Sequence, residues 1–425
     1  MTADKTRVLH ILKHFRPTFT GEGIFTERLT PAMDVLAPDV EHEVLAVATP
    51  DPAEWCPVHA AFRRVVYLTK RPTPYPLQQV LLWLWLLRNL RRYQVVHVHT
   101  HVDRYFLAYF LAKLFGKRLL LSATLDDSVP GLERTYRPAF RPLVRRFLST
   151  FDAFVAISGK LHGETEAAMP GKSHLIPIGI AIPELDAGRR RAGRARLGIA
   201  ADELVLVFVG GICERKDPFF LVQRLPEIRT YCPKVKLLLV GPILEPDYHQ
   251  SIVDYIARHD LSRHVEFVGE VTDPYPLFEA ADVMTFASHL EGFGTVVIEA
   301  MAHGLPVVVR DLPGVNDFFV RNGETGFRFT EPAGYLDALR RLIEDPALRQ
   351  RIGTAGRRFA IDHFDMAKIA AAYLRLYGVP MPATPAAPAR HPRQDLAAMR
   401  PATSAGAAND SLSPGTAHLT WTGAR

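Results

Sequence analysis

Cysteine is scarce, with three in 425 residues at Cys56, Cys213 and Cys232. They are scattered, odd in number and form no C-x-x-C pair. That excludes a disulfide framework and points to a reduced compartment. Long apolar runs are missing too. The most apolar stretch, Val80 to Leu87, is eight residues, far short of the ~20 that a membrane-spanning helix needs. Met1 to Arg7 is polar and a strand pattern starts at Val8, so no secretory signal is expected and the expected location is the cytoplasm. There is no D-x-D motif and no internal repeat. The glycine pair Gly21-Glu22-Gly23 lacks the third glycine of a dinucleotide fingerprint. Met169-Pro-Gly-Lys172-Ser173 imitates the end of a phosphate loop, but Glu166 stands where its first glycine would have to be. The net charge of +6 comes with no nucleic-acid motif, so the excess of Lys and Arg favours phosphorylated or anionic partners instead.

What is present is ordinary for a soluble globular protein, 48% hydrophobic and 23% charged, and long enough for two domains and a tail. The chain is organised around Val265 to Phe329. Val283 to Phe286 reads as a buried strand. A loop follows with Glu291, Gly292, Phe293 and Gly294, and then a helical pattern from Thr295 to His303. Gly304 and Pro306 end that helix, and Val307 to Val309 begin the next strand. A strand feeding a glycine loop and a helix N-terminus holds anions, because free N–H groups and the positive end of the helix dipole face outward. Glu291 and Glu299, with seven residues between them, bracket the loop. Carboxylates accept hydrogen bonds from sugar hydroxyls, and the helix end between them suits a phosphate. Two glutamates alone would read as solvated surface; their setting reads as a site for a phosphate-linked sugar.

Glu291-Gly-Phe-Gly-x4-Glu299-Ala-Met-Ala-x-Gly304-x-Pro306-Val-Val resembles the E-x7-E signature of glycosyltransferase family 4, the retaining enzymes of GT-B fold. Val265-Glu-Phe-Val-Gly269, Leu277-Phe-Glu-Ala-Ala-Asp282-Val, Pro313-Gly314 and Asn322-Gly-Glu-Thr-Gly326-Phe match flanking segments in order. The resemblance runs from about residue 7 to 378. It implies an α/β protein of two Rossmann-like domains with parallel sheets facing across a cleft. It implies that Glu299 binds ribose hydroxyls, that Glu291 binds the transferred sugar, and that backbone groups of Gly292, Phe293, Gly294 and Thr295 grip the diphosphate. The glycine loop at Gly21 and Gly23 approaches donor and acceptor. In Gly210-Gly211-Ile-Cys-Glu-Arg215-Lys216-Asp217, Lys216 matches the family's diphosphate lysine. The family's arginine position is Gly211, and Arg215 is the candidate substitute. The family's usual histidine falls at Thr124, so Thr124, Asp126, Asp127, His99 and His101 remain candidates for its role.

Val95-Val-His97-Val-His99-Thr-His101-Val-Asp103 admits a different chemistry. On a strand His97, His99 and His101 share a face, and alternating histidines near a carboxylate can hold zinc. Arg104 follows Asp103, so the H-x-H-x-D-H pattern of a metal site is incomplete, and the segment also matches the family's own V-V-H-x-H strand. Metal-dependent hydrolysis on these histidines is one alternative; a binding-only relative, suggested by Gly211 and Thr124, is another.

The expected boundaries are an acceptor-side domain over 1–182, a linker over 183–203 and a nucleotide-sugar domain over 204–365. A terminal helix over 366–378 crosses back to the first domain, and a disordered tail fills 379–425. Leu77 to Arg92 reads as an apolar helix with a basic end, and Arg137, Arg141, Arg145 and Arg146 as a second basic helix. The first suits the protein core, the second a solvated face, and either an anionic membrane surface. The expected partners are therefore a nucleotide-diphosphate sugar and a glycan or lipid-linked acceptor, with peripheral membrane contact, no nucleic acid, no cofactor and no metal. Ser158 and Lys160 are expected at the cleft.

Overall fold

The structure, a computed structural model, describes residues 5–15, 21–47, 59–69, 73–99, 106–123, 128–271 and 273–381. Its strands are β1 (Thr6–Leu12), β2 (Val40–Ala46), β3 (Arg64–Tyr67), β4 (Val95–His99), β5 (Arg118–Ala123), β6 (Ala153–Ala156) and β7 (Ser173–Leu175), then β8 (Leu204–Val209), β9 (Val235–Val240), β10 (Val265–Gly269), β11 (Val283–Phe286), β12 (Val307–Arg310) and β13 (Phe327–Phe329). The first seven form one sheet in the order β3-β2-β1-β4-β5-β6-β7, and the last six another in the order β10-β9-β8-β11-β12-β13. All pairings between these strands are parallel. Parallel strands are covered on both faces, which is why segments such as Leu204-Val-Leu-Val-Phe-Val read as continuous apolar runs.

The helices are α1 (Gly21–Leu36), α2 (Tyr75–Asn89), α3 (Phe106–Leu114), α4 (Val129–Arg134), α5 (Arg141–Leu148) and α6 (Gly159–Ala168) in the first domain. In and after the crossover come α7 (Ala187–Arg196), α8 (Pro218–Tyr231), α9 (Pro246–Arg258), α10 (Tyr275–Ala280), α11 (Thr295–Ala302), α12 (Pro332–Glu344), α13 (Pro346–Phe364) and α14 (Met366–Tyr377). The crossover expected as a linker is itself stapled down. Arg190 Nη2 lies 2.7 Å from Asp282 Oδ1 and Arg194 Nη1 3.2 Å from Asp282 Oδ2. Arg194 is buried and also donates to the carbonyls of Ala200, Glu203 and Ala280.

Helix α14 leaves the second domain and completes the core of the first. Ile369, Ala370, Tyr373, Leu374 and Tyr377 are buried in one cluster with Val8, Phe25, Leu29, Met33, Leu120 and Val155. Val379 to Met381, expected in the tail, are placed against the first domain. Gly378 adopts a left-handed turn at the helix end, Val379 N–H donates to the Leu374 carbonyl, and Val379 and Met381 pack on the same cluster. A left-handed C-terminal glycine followed by an apolar contact is a common way to satisfy the last carbonyls. Residues 382–425 lie outside the described residues.

The expected helix over Leu77 to Arg92 begins at Tyr75, and its basic end tightens into a 3-10 turn over Leu90–Arg92. It is not wholly a core helix. Leu82, Leu86 and Leu90 are buried, but Leu77, Val80, Trp83, Leu84 and Leu87 are exposed. No helix among the described residues is long and apolar enough to cross a membrane.

Candidate functional site

In a parallel sheet, ligands gather at the carboxyl ends of strands where the strand order reverses. The first sheet reverses between β1 and β4, and the second between β8 and β11. The segments after β1, β8 and β11 meet the end of β4 in a cleft of about 570 Å³. Gly21, Glu22, Arg28 and His99 line it from the first domain, and Gly210, Lys216, Glu291, Gly294 and Glu299 from the second.

Glu291 is held by three neighbouring side chains. Its Oε1 lies 2.5 Å from Lys216 Nζ, accepts from Ser288 Oγ at 2.6 Å and stands 3.5 Å from Arg215 Nη1. The two loops that carry this pair are bolted together. The backbone N–H of His289 donates to the Arg215 carbonyl at 2.9 Å. Asp217, left-handed at φ 50°, caps α8 with one oxygen and takes Arg310 Nη2 at 2.9 Å with the other. Lys216 Nζ also lies 5.2 Å from the centre of the Phe286 ring. The lysine therefore approaches the cleft on a loop with little freedom, which is what a preorganised charge requires.

Gly294 caps α11 at φ 82° and contributes no side-chain bond to the helix end. The first N–H groups of α11 are thus open to an anion, and a residue with a Cβ is strained at that φ. One turn on, Glu299 is buried, with Oε1 3.1 Å from Arg28 Nη1 and 3.4 Å from Tyr275 Oη. Burial raises its carboxyl above the usual range, and the Arg28 guanidinium pulls against that rise. Burial likewise pushes the Tyr275 phenol up to about 12.

The histidines form a staircase across three strands. The registers His10↔His97 and Val8↔His42 set His99, His10 and His42 on a diagonal of one sheet face. His99 Nε2 meets His10 Nδ1 at 3.1 Å, and His10 Nε2 meets His42 Nδ1 at 3.0 Å. His97 Nδ1 bonds Tyr377 Oη at 2.8 Å and its Nε2 bonds Ser122 Oγ at 2.7 Å. All four rings are buried, and burial lowers their pKa values, to about 4 for His42 and His99. Nitrogens of His10, His97 and His99 lie within 4.8 Å of one another, close enough to suggest a metal. Yet both nitrogens of His10 and both of His97 already have hydrogen-bond partners, so a neutral polar network accounts for them. The expected third member, His101, lies outside the described residues. His10 and His42 join the cluster through sheet register, a signal that strand alternation within one segment does not carry.

Other expected residues fall as follows. Gly21 and Gly23 do not form a turn before the helix; α1 begins at Gly21, and both sit in its first turn. A Cβ on Gly21 would meet nothing within 4 Å, which leaves the cleft open at that helix end. At Gly211 a Cβ would lie 2.4 Å from Cδ1 of the exposed Leu244 side chain, which would have to swing aside to admit a larger residue. Arg215 points its guanidinium at the Leu290 carbonyl, at 2.7 Å, and is not among the cleft-lining residues. Ser158 does not line the cleft but caps α6, accepting from Leu161 N–H, and Lys160 N–H donates to the Gly314 carbonyl. Phe293 lines the cleft and packs its ring against Phe319 and Phe364. Thr124, Asp126 and Asp127 lie outside the described residues. Arg28 was the principal omission of sequence reading. Gly21, Ile24, Phe25 and Arg28 line the cleft at helical spacing, so a helical wheel of α1 carries the signal.

Comparison with known proteins gives a consistent result. The family model described as Glycosyltransferase Family 4 matches residues 35–182, and the one described as Glycosyl transferases group 1 matches residues 189–359. The chain is similar to the N-acetyl-alpha-D-glucosaminyl L-malate synthase of Bacillus anthracis, at 26% identity over 290 residues, 67% of this chain and 74% of that protein. It is similar to the glycogen synthase of Mycobacterium tuberculosis, at 30% identity over 233 residues. There the match spans 53% of this chain and about half, 54%, of the relative. In fold it is similar to Anabaena Alr3699/HepE, solved in complex with UDP and glucose, with a TM-score of 0.70 at 20% identity, covering 88% of this chain and 99% of that one.

Proposed function

The chain belongs to the family 4 glycosyltransferases of GT-B fold, and from that premise we propose that it moves a sugar from a nucleotide-diphosphate sugar to a glycan or lipid-linked acceptor, with retention of anomeric configuration. The observation that carries this reading is the Lys216–Glu291 pair at the open N-terminus of α11. It joins a cation for a leaving diphosphate to a carboxylate for sugar hydroxyls. Departure of the diphosphate is the hard step, and fixed positive charge and helix N–H groups act where its negative charge develops. Glu299 takes the ribose hydroxyls. The acceptor attacks from the face the diphosphate leaves, and the leaving phosphate oxygen takes the acceptor's proton. Approach of the two domains excludes water and limits donor hydrolysis. The reaction needs no metal, because Lys216 and the helix end supply the positive charge.

Turnover of a panel of UDP-, GDP- and ADP-sugars, with and without EDTA, tests this. The expected result is one preferred donor, slowly hydrolysed without acceptor and unaffected by the chelator. Binding without turnover across a range of acceptors would favour a binding-only relative. EDTA-sensitive activity would return attention to the histidine strand.

The acceptor side has a face suited to an anionic membrane. Leu77, Val80, Trp83, Leu84 and Leu87 on α2, Phe110 and Leu114 on α3, and Leu143 on α5 are exposed, with exposed Arg88, Arg91, Arg137 and Arg146 among them. Not all the basic residues are available. Arg145 is held by Glu133 in a two-point pair at 2.6 and 2.8 Å. Apolar area and cationic rim act together at lipid surfaces. In vesicle sedimentation the protein is expected to bind vesicles with 30% anionic lipid (a probe composition of about physiological charge). Trp83→Glu with Leu87→Glu should release it, and equal binding to neutral vesicles would remove the charge argument.

A further inference from the structure

Among the described residues that line the cleft, the two cations are held as ion pairs with two of its carboxylates. Lys216 is held on Glu291 and Arg28 on Glu299. Among the described lining residues the charged groups are Glu22, Glu291 and Glu299 against Arg28 and Lys216. Acids thus outnumber cations in a site read as taking a diphosphate. The side chains nearest in sequence do not close that gap. Leu244 fills the space beside Gly211, and the guanidinium of Arg215 is turned onto the Leu290 carbonyl.

We propose that Arg28, from the first domain, is the second cation for the donor's diphosphate, parked on Glu299 until the ribose hydroxyls replace it there. This rests on the transferase reading above. The side chains differ in the way the exchange requires. That of Glu299 is 9% exposed and that of Arg28 is 48% exposed, so the carboxylate stays and the guanidinium can swing. Tyr275 Oη remains beside Glu299 Oε1 when Arg28 leaves. Arg28 uses Nη1 for the pair, and a guanidinium carries five N–H donors in a fork that fits phosphate oxygens. Ribose hydroxyls donate to Glu299 and the arginine turns to the phosphates. Sugar hydroxyls donate to Glu291 and Lys216 does the same. No charge is left buried and unpaired at any stage. Because α1 belongs to the first domain and α11 to the second, the diphosphate is then gripped from both sides.

A nucleoside alone must break the Arg28–Glu299 pair with no phosphate to receive the arginine, and this is what the test uses. Calorimetry would compare the nucleoside diphosphate that the wild type binds, chosen from UDP, GDP and ADP, with its parent nucleoside. The expected result for Arg28→Met is a loss of about 10–100-fold in diphosphate affinity, with nucleoside affinity unchanged or improved. Arg28→Lys should recover part of the loss. Thermal melts confirm that each variant is folded. Equal weakening of nucleoside and diphosphate would overturn the proposal in favour of a residue that only orients Glu299. An unchanged diphosphate affinity would reduce the pair to a bystander. A folded wild type that binds no nucleoside diphosphate and turns over no donor would remove the transferase reading itself, and this inference with it.

Discussion

Alanine at position 291 is expected to lower the turnover number for sugar transfer by about 10²–10³-fold, the range seen when one preorganised charge-stabilising group is lost. Two effects combine. On the proposed assignment the transferred sugar loses a carboxylate partner, and Lys216 loses the partner that holds its Nζ at 2.5 Å. Ser288 Oγ, Arg215 Nη1 and Lys216 Nζ all converge on Glu291 Oε1, so the variant loosens the whole loop pair. Lys216→Ala should fall in the same range, for on the proposed assignment the leaving diphosphate then lacks a cation. The two losses should not multiply. Residues acting as a unit are non-additive, and the double variant is expected to be about as slow as the slower single one. Initial rates at saturating donor and acceptor measure this, with circular dichroism to establish that each variant is folded. An unchanged rate in Glu291→Ala would take this residue out of the mechanism.

The second large effect is acid lability of the first domain. His10, His42, His97 and His99 are buried and held neutral by desolvation, His42 and His99 down to about 4. In the unfolded chain the same rings titrate near pH 6.5. Between those values the unfolded chain binds protons that the folded chain refuses, so stability is full above pH 6.5 and falls as pH drops toward 4. For His42 and His99 the loss is at most ~3 kcal/mol each over that span, and His10 and His97, also lowered by burial, act in the same direction. Glu299 and Asp34, whose carboxyls burial raises, act in the opposite sense. Urea unfolding at pH 7.5, 6 and 5 should show the midpoint falling steadily, and His42→Phe should flatten the slope. A midpoint independent of pH over that range would mean that the rings protonate in place.

Much of this arrangement was legible in the sequence, and the rest was not for a physical reason. The strands announce themselves as apolar runs, and Glu291, Glu299 and Lys216 sit on glycine-punctuated loops that follow strands. Local chemistry was sufficient there. Arg28 and Glu299 are 271 residues apart, and an arginine on an amphipathic helix carries no local mark of the carboxylate it will meet. The histidine staircase depends on the registers between β1, β2 and β4, which no single strand encodes. Gly21-Glu22-Gly23, expected as a glycine loop, has the composition of a turn but lies in the first turn of α1. Packing of Phe25, Leu29 and Met33 beneath it draws the helix back to Gly21, an instance of tertiary contact overriding propensity.

Helix α14 has a consequence for how the protein is made. Tyr373 and Tyr377 belong to the core of the first domain, yet they leave the ribosome after the entire second domain. At about 5–20 residues per second, roughly ten to forty seconds of synthesis separate β7 from α14. During that interval His97 lacks its Tyr377 hydroxyl and the face above β1 and β4 lacks its cover. The half made first is therefore the half completed last. The second domain, whose sheet and helices are contiguous in the chain, can close on its own while the nascent first domain waits.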